Sequence, residues 1–192
     1  MPEELIINTQ KTAVVVIDLQ KGITTIKTEP HPTETVIKNA VRIIDAARRN
    51  GMPVFLVNVS PSPDLKDTLH PVSESSYRSS GYDPSWSKLV SELKVQNSDF
   101  LITKHQWGAF YGTELDLQLR RRGIDTIILC GIATNFGVES TARFAFEYGY
   151  NQVFANDAMS ARSKEEHEYP LKYIFPRMGL IRSTDEIIDK LK

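Results

Sequence analysis

Short runs in which nearly every residue is apolar alternate along this chain with longer stretches of helical period, and that alternation permits few architectures. Thr12 to Leu19 reads Thr-Ala-Val-Val-Val-Ile-Asp-Leu, Pro53 to Val59 carries Val-Phe-Leu-Val-Asn-Val, Asp99 to Thr103 reads Asp-Phe-Leu-Ile-Thr, and Ile127 to Leu129 continues into Cys130 and Gly131. Strands without polar alternation are covered on both faces, which is the condition of a parallel sheet. Between the first two runs, Val36, Ile37, Ala40, Val41, Ile44 and Ala47 recur at helical spacing, and Gly51 and Pro53 close the segment. Helices are also expected over 113–122, from about Phe136 to Tyr148, from about Ser163 to Phe175 and from Thr184 onward, with a short one near 87–93. Short strands are expected at Val153 to Ala155 and Leu180 to Arg182. Alternation of this kind predicts an α/β fold: six parallel strands, right-handed crossovers and helices on both faces.

The 192 residues suit a single domain spanning 1–192, since one core covered on two faces accommodates a chain of that length. With 23 basic and 24 acidic residues the net charge is −1, so there is no electrostatic case for a nucleic-acid or membrane partner. The single cysteine, Cys130, permits neither an internal disulfide nor a cysteine-based metal cluster, and a reducing compartment follows as the simpler assumption. The N-terminal residues lack a basic segment followed by a long apolar one, so a cytoplasmic location is expected.

Open α/β sheets place their chemistry at the carboxyl ends of the strands. Three candidates fall there: Asp18 after the first strand, Lys104 after the third, and the turn from Ala133 to Gly137 after the fourth. Gly131 lets the chain turn out of that strand without a Cβ clash. Thr134 and Asn135 are both suitable helix caps, Asn135 the better placed for a helix starting near Phe136. A helix start there favours a carboxylate or oxyanion beside Gly137. Trp107 and Phe110 read equally well as core residues and as apolar walls of a small-ligand site. The Pro-interrupted segment from Ser60 to Ser87, with Tyr77, Tyr82 and Trp86, is too long for an idle loop and is expected to cover a pocket mouth or a neighbouring subunit. No phosphate-loop or dinucleotide fingerprint is present, and His31, His70, His105 and His167 lack metal-ligand spacing, so neither cofactor nor metal is expected.

Val15, Ile17, Asp18, Leu19 and Gln20, then Lys104 with Trp107-Gly108-Ala109-Phe110 and Gly112-Thr113, then Gly131-Ile132-Ala133-Thr134-Asn135 with Gly137-Val138 and Thr141-Ala142-Arg143, resemble the isochorismatase-like hydrolase family along the whole chain. The resemblance implies a three-layer α/β/α sandwich of Rossmann-like type. It makes Asp18 the acid/base aspartate and Lys104 the site lysine, and it places a non-proline cis peptide between Ile132 and Ala133. Around these, Gln20, Trp107, Phe110, Ile132, Ala133, Asn135 and Phe136 are the expected substrate-binding residues. Gly137 stands where the family's amidase branch has its nucleophilic cysteine, and glycine has no side chain to attack with. No Asp-x-His pattern follows Asn58, which counts against a metal-dependent nicotinamidase.

Cys130 is a poor substitute nucleophile because a thiol within a buried strand has its pKa raised. Glycine at this position resembles the isochorismatases, which cleave a vinyl ether with water. The resemblance thus implies a hydrolase of a small carboxylate-bearing metabolite, acting through Asp18 and Lys104 without a covalent intermediate. Two alternatives stay open: an amidase-like hydrolase using a bound water, and an inactive ligand-binding member. It also implies a homo-oligomer, dimer or tetramer.

Overall fold

β-Branched residues dominate the first strand, β1 (Thr12–Ile17), and all six of its residues are buried. It lies in the middle of a six-stranded, wholly parallel sheet with β2 (Val54–Val59), β3 (Phe100–Lys104), β4 (Thr126–Ile132), β5 (Asn151–Ser160) and β6 (Leu180–Arg182), in the order β3-β2-β1-β4-β5-β6. The computed structural model describes residues 4–74 and 83–191. This strand order reverses direction between β1 and β4, the switch point at which folds of this class place their sites. Ile17 is in register with Val57 on one side and Gly131 on the other, which sets the ends of three strands level.

Successive residues of each central strand feed opposite layers, as the period of two requires. Val14, Val16, Val54, Leu56, Ile128 and Cys130 pack under α2 (Thr33–Arg49) and α6 (Thr184–Asp189). Ala13, Val15, Ile17, Phe55, Val57, Ile127 and Leu129 face the other layer, formed by α3 (Leu115–Arg121), α4 (Glu139–Glu147) and α5 (Lys164–Tyr173). The sheet and its two helical layers are those expected.

Several boundaries differ from the sequence reading. β5 runs for ten residues rather than three: its register shifts between Leu129 and Gly131 of the neighbouring strand, and beyond polar Asn156 and Asp157 it regains buried Ala158, Met159 and Ser160. Along α2, Ile43 and Ala46 are buried while Ile37 and Val41 are only partly so. Near 87–93 the helix is one 3₁₀ turn, Ser91–Leu93. Thr113 precedes α3 instead of opening it, because its hydroxyl donates to Ala109 O and accepts Leu115 N–H in a side-chain turn. A single helical turn, α1 (Lys21–Thr24), was not anticipated.

The described part of the 60–87 segment has no helix or strand and is tied to the strand ends. Ser60 N donates to Lys104 O, Asn58 Nδ2 to Ser87 O, and His105 Nδ1 lies 2.9 Å from Asp67 Oδ2. Tyr77 and Tyr82 lie outside the described residues.

Candidate active site

Asp18 follows β1 directly with φ 54°, a left-handed conformation that aspartate tolerates better than most residues. Its backbone N–H still donates to Val57 O at 2.9 Å, so the kink comes at the end of the ladder, not within it. From the end of β3, two strands away, the long Lys104 side chain reaches back to it. Nζ donates to Asp18 Oδ2 at 2.7 Å and to Trp107 O at 2.5 Å. The pair is sealed from water, with Lys104 1% and Asp18 4% exposed. Asp18 Oδ1 is buried and has no hydrogen-bond partner among the described residues. The carboxylate therefore has one oxygen held by a cation and one left over, a large cost for a buried group with no further use.

The end of β4 supplies the opposite wall. Gly131 has φ 120°, and a Cβ there would run into Ile17 O on the adjacent strand, so both conformation and close approach require glycine. The Ile132–Ala133 peptide is cis, as the resemblance implies. Thr134–Val138 then forms a π-helical turn that leads into α4, with Val138 N–H donating to Ala133 O. The expected cap is corrected here: neither Thr134 nor Asn135 caps the turn with its side chain, and Ala133 is the capping residue. The Thr134 hydroxyl is engaged instead with His167 Nδ1 at 2.8 Å, and Asn135 Oδ1 is buried without a hydrogen-bond partner among the described residues. Gly137 lies against the buried pair, since a Cβ built on it would be 3.0 Å from Asp18 Oδ2 and 3.2 Å from Lys104 Nζ. Asp18, Lys104 and Gly137, separated by up to 119 positions, thus meet at one point.

Residues 12–186 match the Isochorismatase domain. The chain belongs to the isochorismatase family. It is 51% identical over 194 residues to the uncharacterized isochorismatase family protein YwoC of Bacillus subtilis, with all of both chains covered. A solved isochorismatase family protein from Burkholderia thailandensis superposes with a TM-score of 0.93 at 41% identity, covering 97% of each chain. A probable isochorismatase from Pseudomonas chlororaphis is 29% identical over 161 residues, covering 81% of this chain and 74% of its own. The chain is accordingly a hydrolase of this family.

Within the family frame, the remaining expected residues separate into two groups. Trp107 is 61% exposed and sets its ring edge-on to Phe136 at 4.9 Å, giving the rim an aromatic wall. Phe110 belongs to the core, against Tyr148 and Tyr150, so it supports the 105–112 loop from behind. Gln20 is fully buried and its amide is committed to backbone: Nε2 donates to Val59 O and Trp86 O, and Oε1 accepts Val59 N–H. That geometry makes Gln20 a clamp joining the ends of β1 and β2 to the 83–90 segment.

Burial pushes the Asp18 carboxyl up to about 6, with Lys104 opposing the rise. Burial likewise raises the Cys130 thiol to about 12. Cys130 packs in the α2 layer, whereas Ile17, whose Cγ2 would be 2.8 Å from a Cβ at Gly137, packs in the opposite one. The thiol therefore faces away from the site. Among the described residues no group of three or more His, Cys, Asp and Glu side chains is arranged to hold a metal, and no helix is long and apolar enough to cross a membrane. Sequence reasoning gave His167 no role, because its partner Thr134 lies 33 positions away and the two share no motif spacing.

Proposed function

We propose that this hydrolase cleaves the vinyl ether of a small carboxylate-bearing metabolite of isochorismate type by acid catalysis and water attack. The observation that carries the reading is the Asp18 carboxyl: one oxygen pinned by Lys104, the other buried with no partner among the described residues, and Gly137 close beside it, in a setting whose burial pushes the carboxyl up to about 6. Protonated Asp18 delivers its proton to the terminal enol carbon, converting the methylene to a methyl group and leaving an oxocarbenium ion. Water adds to that cation, the proton it sheds returns to the Asp18 carboxylate, and the hemiketal collapses to an α-keto acid and the free alcohol. Gly137 packs closely against Ile17 and the Asp18–Lys104 pair, and covalent attack from this position has no atom to make it. Trp107 and Phe136 supply an apolar wall, while the free oxygen of Asn135 supplies an acceptor for a substrate hydroxyl.

The reading is tested by incubating the protein with isochorismate in deuterated water and following keto-acid release by mass spectrometry. One deuterium in the product methyl group is expected. Release without deuterium, or no release, overturns it.

Assembly is part of the same proposal. Phe146, Tyr169 and Tyr173 are each half-exposed around a cleft of about 730 Å³ between α4 and α5, with Arg143, Glu147 and Arg177 beside them. A patch holding both charge signs can satisfy itself across a two-fold axis, and light scattering at micromolar concentration should give a dimer or tetramer. A monomer removes this part.

A further inference from the structure

Behind the candidate site lies a buried imidazole that the proposed reaction leaves unused. His167, in α5, is 3% exposed, and its Nδ1 stands 2.8 Å from the hydroxyl of fully buried Thr134. Thr134 opens the π-helical turn that places Asn135 and Gly137, and follows directly on the cis peptide. The imidazole is itself held from the rear. The His31 ring meets it edge-on at 5.3 Å, His31 N–H donates to Ser160 Oγ, and Glu29 and Ala161 exchange backbone hydrogen bonds. The 28–33 segment, tied to the end of β5, thus backs the imidazole that α5 presents to the Thr134 hydroxyl. Burial, with His31 adding to it, lowers the His167 pKa to about 4, so the ring is neutral at pH 7 and keeps one nitrogen as an acceptor.

Without that partner the fully buried Thr134 hydroxyl would be left unsatisfied, and the turn that carries it would have to shift to find another. We propose that His167 is a positioning residue: by holding the Thr134 hydroxyl it fixes the turn that sets Asn135 and Gly137 against Asp18 and Lys104. This rests on the reading of that turn as the substrate-facing wall, so its test uses a probe that needs no substrate. Gly137→Cys puts its Cβ 3.0 Å from Asp18 Oδ2 and 3.2 Å from Lys104 Nζ, so the reactivity of its thiol reports whether the turn holds its place against that pair. Alkylation by iodoacetamide is followed in that protein and after adding His167→Leu, His167→Asn or Thr134→Val.

His167→Leu and Thr134→Val should each change the alkylation rate about fivefold at pH 7 in the same direction, and together by no more than either alone, the signature of one shared interaction. His167→Asn, whose amide reaches the position of Nδ1, should restore the rate to within about twofold. Hydrogen exchange of the 135–138 amides, measured in the same backgrounds without Gly137→Cys, gives an independent readout if that variant does not fold. Faster exchange at this turn in His167→Leu, reversed in His167→Asn, is expected. A lowered melting temperature with unchanged alkylation and exchange, or an asparagine variant no better than the leucine one, overturns the proposal. Failure of wild-type to hydrolyse isochorismate sinks the reaction assigned above and leaves this result standing.

Discussion

The two oxygens of the Asp18 carboxyl group, the acid of the proposed reaction, are unlike: one accepts from Lys104 and the other has no partner among the described residues. Because burial outweighs the opposing Lys104 charge, the folded carboxyl stays protonated up to about pH 6 instead of its ordinary 3.8. The sign of the pH dependence follows from the role. A general acid needs the proton, so log kcat/KM for vinyl-ether cleavage should be level below about pH 5 and fall about tenfold per pH unit above pH 6. A general base would give the mirror image, and a pH series on one substrate distinguishes them. Stability follows the same sign: this carboxyl contributes fully below its unfolded pKa, and the contribution is lost as pH rises through about 6. Asp18→Asn, checked for folding by circular dichroism, should abolish turnover, and near wild-type rates in that variant would remove the acid from the mechanism. Gly137→Ala tests the neighbouring space. Its Cβ would sit 2.8 Å from Ile17 Cγ2 and 3.0 Å from Asp18 Oδ2, so a cost of about 1–3 kcal/mol from overpacking is expected. Turnover should fall by at least about tenfold, or ~1.4 kcal/mol in the barrier, as the Asp18–Lys104 pair is pushed out of place.

At the scale of elements, the site depends on how strands end. Gly131 is still paired with Ile17 and Met159 one residue before β4 ends, and it combines φ 120° with a Cβ position occupied by Ile17 O. Gly131→Ala should therefore cost about 3 kcal/mol or more in chemical denaturation. Gly51→Ala, at φ 67° with nothing within 4 Å of the added Cβ, should cost only about 1 kcal/mol. The contrast measures close approach apart from backbone conformation, and equal costs at the two sites would refute the packing argument.

Strand ends were also where the sequence was most informative. Apolar runs located Asp18, Lys104 and the 131–137 turn because a buried parallel strand cannot hide its period, and a parallel sheet forces its carboxyl ends onto one rim. What the sequence did not reveal depends on side-chain partners far along the chain. Asn135 looks like a helix cap by residue type, yet the turn is of π spacing and Thr134 is held by His167 from another helix. Gln20 looks like a site residue by its position beside Asp18, yet backbone groups of Val59 and Trp86 consume its amide. Phe110 is aromatic and near Lys104, and only the packing of Tyr148 and Tyr150 behind it reveals that it faces inward.

At the scale of the whole molecule, the sheet separates two apolar layers, and the single thiol belongs to the layer away from the candidate site. Cys130 is fully buried in β4 between two other strands, and its pKa is raised to about 12 by burial and, to a lesser extent, by Asp157. Reaching it requires separation of α2 from the sheet, which breaks the core shared by β1, β2 and β4. Local fraying at the rim does not expose it, so its labelling should follow global opening. For a domain stable by ~5 kcal/mol or more, alkylation of Cys130 should be at least about a thousandfold slower in the native protein than in the unfolded chain. The rate should also rise with urea in step with the unfolding equilibrium measured by circular dichroism. Cys130→Ser, once folded, should keep full turnover of whatever substrate the wild-type hydrolyses, because the thiol and the Gly137 site lie on opposite faces of the sheet. Fast labelling in native buffer would refute the global-opening argument, and loss of turnover in a folded Cys130→Ser would mean that the non-covalent route is wrong.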